Sequence, residues 1–228
     1  MILTSFDLFP LWNSLRIALI ASLIVFFLGI LLAYYISKLP RIVKGILDVF
    51  LTLPLVLPPT VVGYFLVLIL GNNSPIGQFL TNIGLPFFMT WRGAIIASVV
   101  VSFPLMYRTV RGAFETFDED LAFAGRTLGL SNTYIFWRIR IPYCKSGLIA
   151  GSVLAFARAL GEYGATSMFV GYIKGKTATI ATAVYNYWTI GNDTQALIWV
   201  LINITISTIV LLTINLFENR KGGRKHVY

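Results

Sequence analysis

Few residues in this sequence are suited to chemistry, and two of them stand together. Arg158 and Glu162 lie four positions apart inside the apolar stretch 146–170. On a helix that spacing puts them on one face. A charged side chain at the centre of a bilayer costs at least about 2.5–3.5 kcal/mol, so neither is expected to face lipid. Two arrangements satisfy this: an internal ion pair that locks helices together, or a polar lining that gates a pathway. Thr166 and Ser167, one turn further on, either extend that polar track or bond back to their own helix backbone. The other familiar constellations are missing. The lone histidine, His226, is near the carboxyl end and the lone cysteine is Cys144, which excludes a Ser/His/Asp or Cys/His set, an internal disulfide and a Cys/His zinc cluster. We therefore expect no catalytic residue, no metal site and no cofactor on this chain.

One stretch, Gly171-Tyr172-Ile173-Lys174-Gly175-Lys176-Thr177, ends like a phosphate-binding loop. That loop needs glycine five positions before the glycine of its Gly-Lys-Thr, and here Val170 occupies that place. Nucleotide binding is not expected there.

The elements that carry these residues follow from composition. Of 228 residues, 57% are hydrophobic and 12% charged, and the mean hydropathy is +0.80. Soluble domains carry about 25% charged residues. This chain cannot cover a soluble globule with polar surface, and lipid is its natural solvent. A spanning helix needs roughly 20 apolar residues. Five stretches qualify, at about 11–36, 46–70, 91–107, 146–170 and 196–217. The first reads as a retained span, since no basic region precedes it and Arg16 can snorkel toward headgroups.

Charge sorting orients the five spans. Lys38, Arg41 and Lys44 follow the first; Arg108, Arg111, Arg126, Arg138, Arg140 and Lys145 lie between the third and fourth; Arg220, Lys221, Arg224 and Lys225 follow the fifth. These are 13 of the 18 basic residues, and a five-span count puts them all on one side. The positive-inside rule then predicts an outer amino terminus and a cytoplasmic carboxyl terminus. The fold expected is an all-α integral membrane protein, one domain over 1–228. Trp12, Trp91 and Trp188 toward the outside, with Tyr34, Tyr35 and Tyr107 toward the inside, suit an aromatic belt.

Two spans depart from plain lipid-facing helices. The second contains Leu53-Pro54-Leu55-Val56-Leu57-Pro58-Pro59-Thr60. Proline removes backbone donors, so Pro58, Pro59 and Thr60 should face protein or a water-filled path. The fourth is rich in glycine and alanine, with Gly147 and Gly151 as a G-x-x-x-G pair that lets helices approach closely.

The longest inner loop, 108–145, is patterned as structure. Asp118, Glu119 and Asp120 suit the first turn of a helix, Gly129 its end, and Ser131 the cap of a second helix that Pro142 should terminate. Leu128, Leu130, Phe136 and Trp137 would then be exposed beside Arg126, Arg138 and Arg140, as a docking surface for another protein.

This loop resembles the EAA motif of binding-protein-dependent ABC importer permeases, which reads E-A-A, three residues, G, nine residues, I-x-L-P. Ala124 and Gly125 stand at the two alanines, Gly129 at the glycine, and Ile139, Ile141 and Pro142 at the end; the departures are Phe123, Gly125 and Ile141. Three further stretches resemble molybdate permeases: Pro54 to Tyr64, Ser102 to Met106, and Ala155 to Thr166. Sulfate permeases share much of the last, and tungstate permeases share the fold. The resemblance implies a type I importer permease in the bacterial inner membrane, acting as a homodimer by alternating access. Two separate ATP-binding subunits would use ATP-Mg and dock on Ala124, Gly125, Arg126, Leu128, Gly129, Ile139, Ile141 and Pro142. A periplasmic oxyanion-binding protein would deliver the substrate. The pathway would be lined by the second and fourth spans, with Pro58, Pro59, Thr60, Arg158, Glu162 and Thr166 as candidates. Molybdate is the best match, with sulfate and tungstate kept open.

Two other readings compete. A secondary transporter or channel would not need a two-helix dock and often carries inverted repeats, which are not evident here. A nucleic-acid protein would gather its positive charge on a patch; here charge is sorted by membrane side, and no nucleic-acid partner is expected.

Overall fold

The computed structural model describes the backbone of residues 7–222 and the side chains of residues 7–212. The basic tail positions Arg224 and Lys225, and His226, lie outside the described residues. In chain order the helices are α1 (Phe9–Ser37), α2 (Arg41–Val56), α3 (Pro59–Leu70), α4 (Pro75–Asn82), α5 (Trp91–Glu115), α6 (Glu119–Thr127), α7 (Asn132–Ile135), a π-helical turn (Phe136–Arg140), α8 (Ile141–Tyr143), α9 (Lys145–Leu160), α10 (Gly164–Phe169), α11 (Ile180–Thr189) and α12 (Asp193–Gly222). The described residues contain no strand.

Among the described residues three helices are long and apolar enough to cross a membrane: α1, α5 and the Asp193–Leu212 part of α12. The α2–α3 pair makes a fourth if it counts as one span, but it bends by 111°. The bend is a proline effect. Leu57 and Pro58 are extended (ψ 141° and 134°), because a residue before proline is pushed out of the helical region. Pro59 then opens α3 at its first position, where a missing N–H costs nothing. Pro54 sits inside α2 and does not end it.

The stretch expected as a fourth span is not one helix. It divides into α9 and the six-residue α10, and Gly161, Glu162 and Tyr163 between them leave the helix. Five unbroken spans therefore do not describe this chain. Glycine gives up more conformational freedom in a helix than any other residue, which favours the break at Gly161. The third stretch is longer than expected and runs to Glu115, so Arg108 and Arg111 lie on the α5 helix and not in a loop.

The described chain divides into two compact units. One is Leu15–Val170; the other takes the chain through Ser14 and from Gly171 onward. In the first, α5 is more enclosed than the other candidate span, α1. Its Met106, Tyr107, Val110 and Phe114 pack with Val25 and Ala33 of α1 and Leu148 and Ala155 of α9. Lipid supplies little hydrophobic drive between helices, so close approach of small residues does this work. Gly151 faces Met106, whose sulfur would stand 2.9 Å from an added Cβ, and Gly147 faces Ala113. Tyr107, expected in the aromatic belt, has its ring wholly buried in the protein, and its hydroxyl donates to Asp48. Arg16 lays its guanidinium over the Trp91 ring at 3.7 Å.

In the second unit, α11 and α12 pack around buried Trp199, Ile180 and Ala183. The Ser14 hydroxyl accepts from the Ile180 amide at 2.8 Å, and the Asn13 amide donates to the Ala178 carbonyl at 2.9 Å. The glycine loop before α11 is closed on itself. The amides of Lys176, Thr177 and Ala178 all donate to the Ile173 carbonyl.

Candidate functional site

Two helix breaks face each other in the Leu15–Val170 unit. The α10 helix crosses α3, and both crossing points are glycines. A Cβ on Gly164 would come within 2.8 Å of Pro59 Cβ, and one on Gly63 within 2.9 Å of Ala165 Cα. The Pro58-Pro59 kink thus lies against the start of α10, immediately after the Gly161–Tyr163 break. Pro58 and Thr60 are exposed and Pro59 is half-buried.

Glu162 occupies the second break. It is 3% exposed, and burial of a carboxylate requires partners. Its Oε1 accepts from the Ala165 amide at 2.7 Å, satisfying one of the free donors at the start of α10. Its Oε2 lies 2.6 Å from Arg158 Nη1, a close charge contact without the alignment of a directed hydrogen bond. The pair expected on one continuous helix therefore forms across a helix end: Arg158 is on the last turn of α9 and Glu162 is beyond it. Arg158 remains partly exposed while Glu162 is sealed. Thr166 is buried and does not line an open surface, and the Ser167 hydroxyl bonds back to the Gly164 carbonyl at 3.1 Å.

The second candidate is the segment between α5 and α9. Asp118 caps α6 by accepting from the Asp120 amide at 3.0 Å. At the other end Gly129 has φ +77°, the left-handed conformation that glycine adopts without steric cost. The Gly129 amide donates to the Arg126 carbonyl and the Leu130 amide to the Gly125 carbonyl; these are the two bonds of a Schellman motif. The Ser131 hydroxyl accepts from the Tyr134 amide and opens α7. Pro142 does not stop the helix as expected. The chain stays helical through it to Tyr143. Proline has no N–H, and the turn before it is wound wider, with the Ile141 amide donating to the Phe136 carbonyl.

The outward face of this segment differs from the expected one. Leu128 is 79% and Trp137 57% exposed, as expected, and Phe123 and Tyr134 join them. Leu130 and Phe136 are turned inward; Phe136 packs on Tyr34 with ring centres 4.5 Å apart. Arg140 is buried. Its Nη2 lies 2.6 Å from Glu119 Oε1 and its guanidinium lies over the Phe117 ring at 4.3 Å, which ties the second half of the segment to the first. Ala124, Arg126, Arg138 and Pro142 are exposed, Gly125 is buried against Ile135, and Ile139 and Ile141 are half-buried.

A polar network at the far end of α5 had no counterpart in the sequence reading. Asp48 of α2 bonds the Tyr107 hydroxyl and pairs with Arg111. Arg111 also reaches Glu115 at 3.1 Å, and Lys44 reaches Glu115 at 2.6 Å. These links hold α2, which buries none of its own residues, against α5. The signal available was Asp48 itself, the only acidic residue between Asp7 and Glu115. Its partners, 59 and more positions away, could not be read from spacing.

The sequence matches the profile of the family described as the binding-protein-dependent transport system inner membrane component, over residues 25–222. This chain belongs to that family. Its relatives include the molybdenum transport system permease protein ModB of Escherichia coli (strain K12), 43% identical over 209 residues, covering 89% of this chain and 91% of that one. The ModB protein of Haemophilus influenzae is 40% identical over 201 residues, covering 87% and 88%. Among solved structures, a bacterial ABC transporter involved in alginate import aligns with a TM-score of 0.75 at 18% identity, covering 93% of this chain and 79% of that one. The MetNI methionine ABC transporter in inward-facing conformations aligns with a TM-score of 0.71 at 14% identity, covering 91% and 92%. At such identities these two share the fold with this inner membrane component.

The family assignment explains the uneven distribution of chemistry. This inner membrane component presents an exposed two-helix surface in α6 through α8. Its buried Glu162 sits where two broken helices cross, and its buried Arg140 sits within the two-helix segment. Among the described residues no group of three His, Cys, Asp or Glu is arranged to hold a metal ion.

Proposed function

We propose that this chain is the permease subunit of an ATP-driven importer that moves molybdate across the bacterial inner membrane. The observation that carries this reading is similarity to molybdenum permeases at 40–43% identity over nearly 90% of the chain. The α6–α8 segment is the coupling element. Its exposed Leu128, Trp137 and Phe123 meet a cytoplasmic ATP-binding subunit, and its capped, ion-paired frame is stiff enough to carry a push. Two copies of the chain form the pathway, each with its amino terminus outside, and a periplasmic oxyanion-binding protein delivers substrate. Closure of two ATP-binding subunits drives alternating access through the coupling segments.

Within this reading the opposed breaks of α2–α3 and α9–α10 form the gate. Pro58, Thr60 and Arg158 present the polar or backbone-irregular surface there, and Glu162 holds Arg158. A pathway must admit and release its ion, so a deep cationic trap would hinder flux. Glu162 offsets the positive charge of Arg158 and prevents such a trap.

The test is uptake of labelled molybdate by cells expressing the chain with its ATP-binding and binding-protein partners. Sulfate and tungstate serve as competitors. Molybdate uptake that excess sulfate leaves intact supports the assignment. Uptake that sulfate abolishes reassigns the substrate to sulfate, and uptake that tungstate suppresses at lower concentration than molybdate itself reassigns it to tungstate.

A further inference from the structure

A cleft of about 800 Å³ opens where α1 and α5 end and the inner sides of α6 and α7 begin. Its charges are unequally committed. Glu119 is taken by Arg140 at 2.6 Å, and Glu115 by Lys44 and Arg111. Lys38 and Arg126 also line the cleft, and among the described residues neither has a carboxylate within ion-pair distance. Both are held in place by neutral groups. The Lys38 ammonium lies 3.6 Å from the centre of the Tyr34 ring. The Arg126 Nε donates to Asn132 Oδ1 at 3.2 Å, and its guanidinium lies near the Phe123 ring. The cleft thus offers two uncompensated cations above an aromatic floor of Tyr34, Phe114 and Phe136.

Two helices long and apolar enough to cross a membrane end beside the cleft, at Ser37 and Glu115, and the ends of spanning helices lie near the headgroups. A track of exposed apolar side chains leads to it. Ile24, Leu28, Leu31 and Tyr35 are all exposed on α1, and their spacing of four, three and four puts them on one helix face. Continued by three residues, that face reaches Lys38. An anion of phosphate chemistry fits the two cations, and the track and floor fit an acyl chain attached to it. Free phosphate would use the cations and leave the apolar surface idle.

We propose that this cleft holds the phosphodiester headgroup of a membrane phospholipid, with its acyl chain along the Ile24–Tyr35 face of α1. The lipid would bridge the end of a spanning helix to the two-helix segment and fill the space between them. The site is independent of the transported ion and of which leaflet it faces.

The experiment uses the assembled transporter, stripped of lipid and titrated with phosphatidylglycerol, with bound lipid counted by native mass spectrometry. A membrane-surface Lys or Arg contributes about 1 kcal/mol toward an anionic lipid, so the Lys38→Gln/Arg126→Gln double variant should bind roughly thirtyfold more weakly than wild type. The charge-conserving Lys38→Arg/Arg126→Lys variant should bind as wild type does, and excess inorganic phosphate should not displace the lipid. Lys38→Gln alone, outside every helix and off the docking segment, should already weaken binding several-fold. It serves if the double variant does not assemble. Unchanged lipid affinity in Lys38→Gln and the double variant overturns the proposal. Displacement by inorganic phosphate overturns it in favour of a free-phosphate site.

Discussion

The Glu162 carboxylate joins two structural elements through its two oxygens: one caps α10 through the Ala165 amide at 2.7 Å, the other sits 2.6 Å from the Arg158 guanidinium at the end of α9. A single side chain therefore fixes both sides of a helix break. It is sealed from solvent while its partner is not.

Glu162→Gln keeps an oxygen for the Ala165 amide and removes the charge that offsets Arg158. The expected outcome is slower maximal molybdate uptake with a lower half-saturating concentration, since the freed guanidinium retains the anion. Glu162→Ala loses the cap as well and should lower both the amount of assembled protein and transport. Uptake kinetics in membrane vesicles with intact partners check this. Wild-type kinetics in Arg158→Ala and Glu162→Ala together would remove the pair from the pathway.

Gly129 holds the turn between α6 and α7 at φ +77°. An L-residue in this conformation costs about 1–2 kcal/mol, and asparagine tolerates it better than a β-branched residue. Gly129→Val should therefore lower the midpoint of thermal unfolding and reduce co-purification of the ATP-binding subunit, and Gly129→Asn should do so much less. Equal behaviour of the two variants would count against the turn as the cause.

The crossing of α3 and α10 leaves no room for a side chain at Gly63 or Gly164. Gly164→Leu should push Pro59 and the α2–α3 kink away, with loss of folded protein measured by size-exclusion of the solubilised chain. Gly45, with nothing within 4 Å of an added Cβ, provides the control: Gly45→Ala should leave the elution profile unchanged.

Cys144 is the only cysteine. It is buried, its thiol donates to the Ala113 carbonyl at 3.1 Å, and burial pushes its pKa up from the ordinary thiol value, with Arg140 opposing. Little thiolate is present at neutral pH, and thiolate is the reactive form. Maleimide should label the folded chain slowly and the denatured chain fast, by mass spectrometry over time. Equal rates would contradict the packing of α9 on α5.

Local chemistry was legible and long-range packing was not. Asp118, Gly129 and Ser131 sit where their capping preferences put them, because a cap depends on neighbours a few residues away. Phe136 and Arg140 were expected on the outside, and they turn inward because Tyr34 and Phe117 offer rings to pack on. Tyr107 was expected in the aromatic belt, and its ring lies buried in the protein with its hydroxyl donating to Asp48 of another helix. The fourth apolar stretch looked continuous because hydropathy does not register a break after Leu160, beyond which the Ala165 amide at the start of α10 is met by the buried Glu162 carboxylate. Pro58 and Pro59 did announce their break, since proline changes the backbone wherever it stands.

The central claim is that an exposed two-helix surface couples this membrane chain to ATP hydrolysis by another subunit. It is tested most directly by labelled molybdate uptake into proteoliposomes holding the chain with its ATP-binding subunit and binding protein, comparing wild type with Leu128→Glu. We predict uptake that requires ATP in wild type. In the variant, uptake and stimulated ATP hydrolysis should both fall by at least about tenfold, as for a buried interface anchor, with thermal stability unchanged. Uptake that continues without ATP, or a variant that transports as wild type does, would contradict the account.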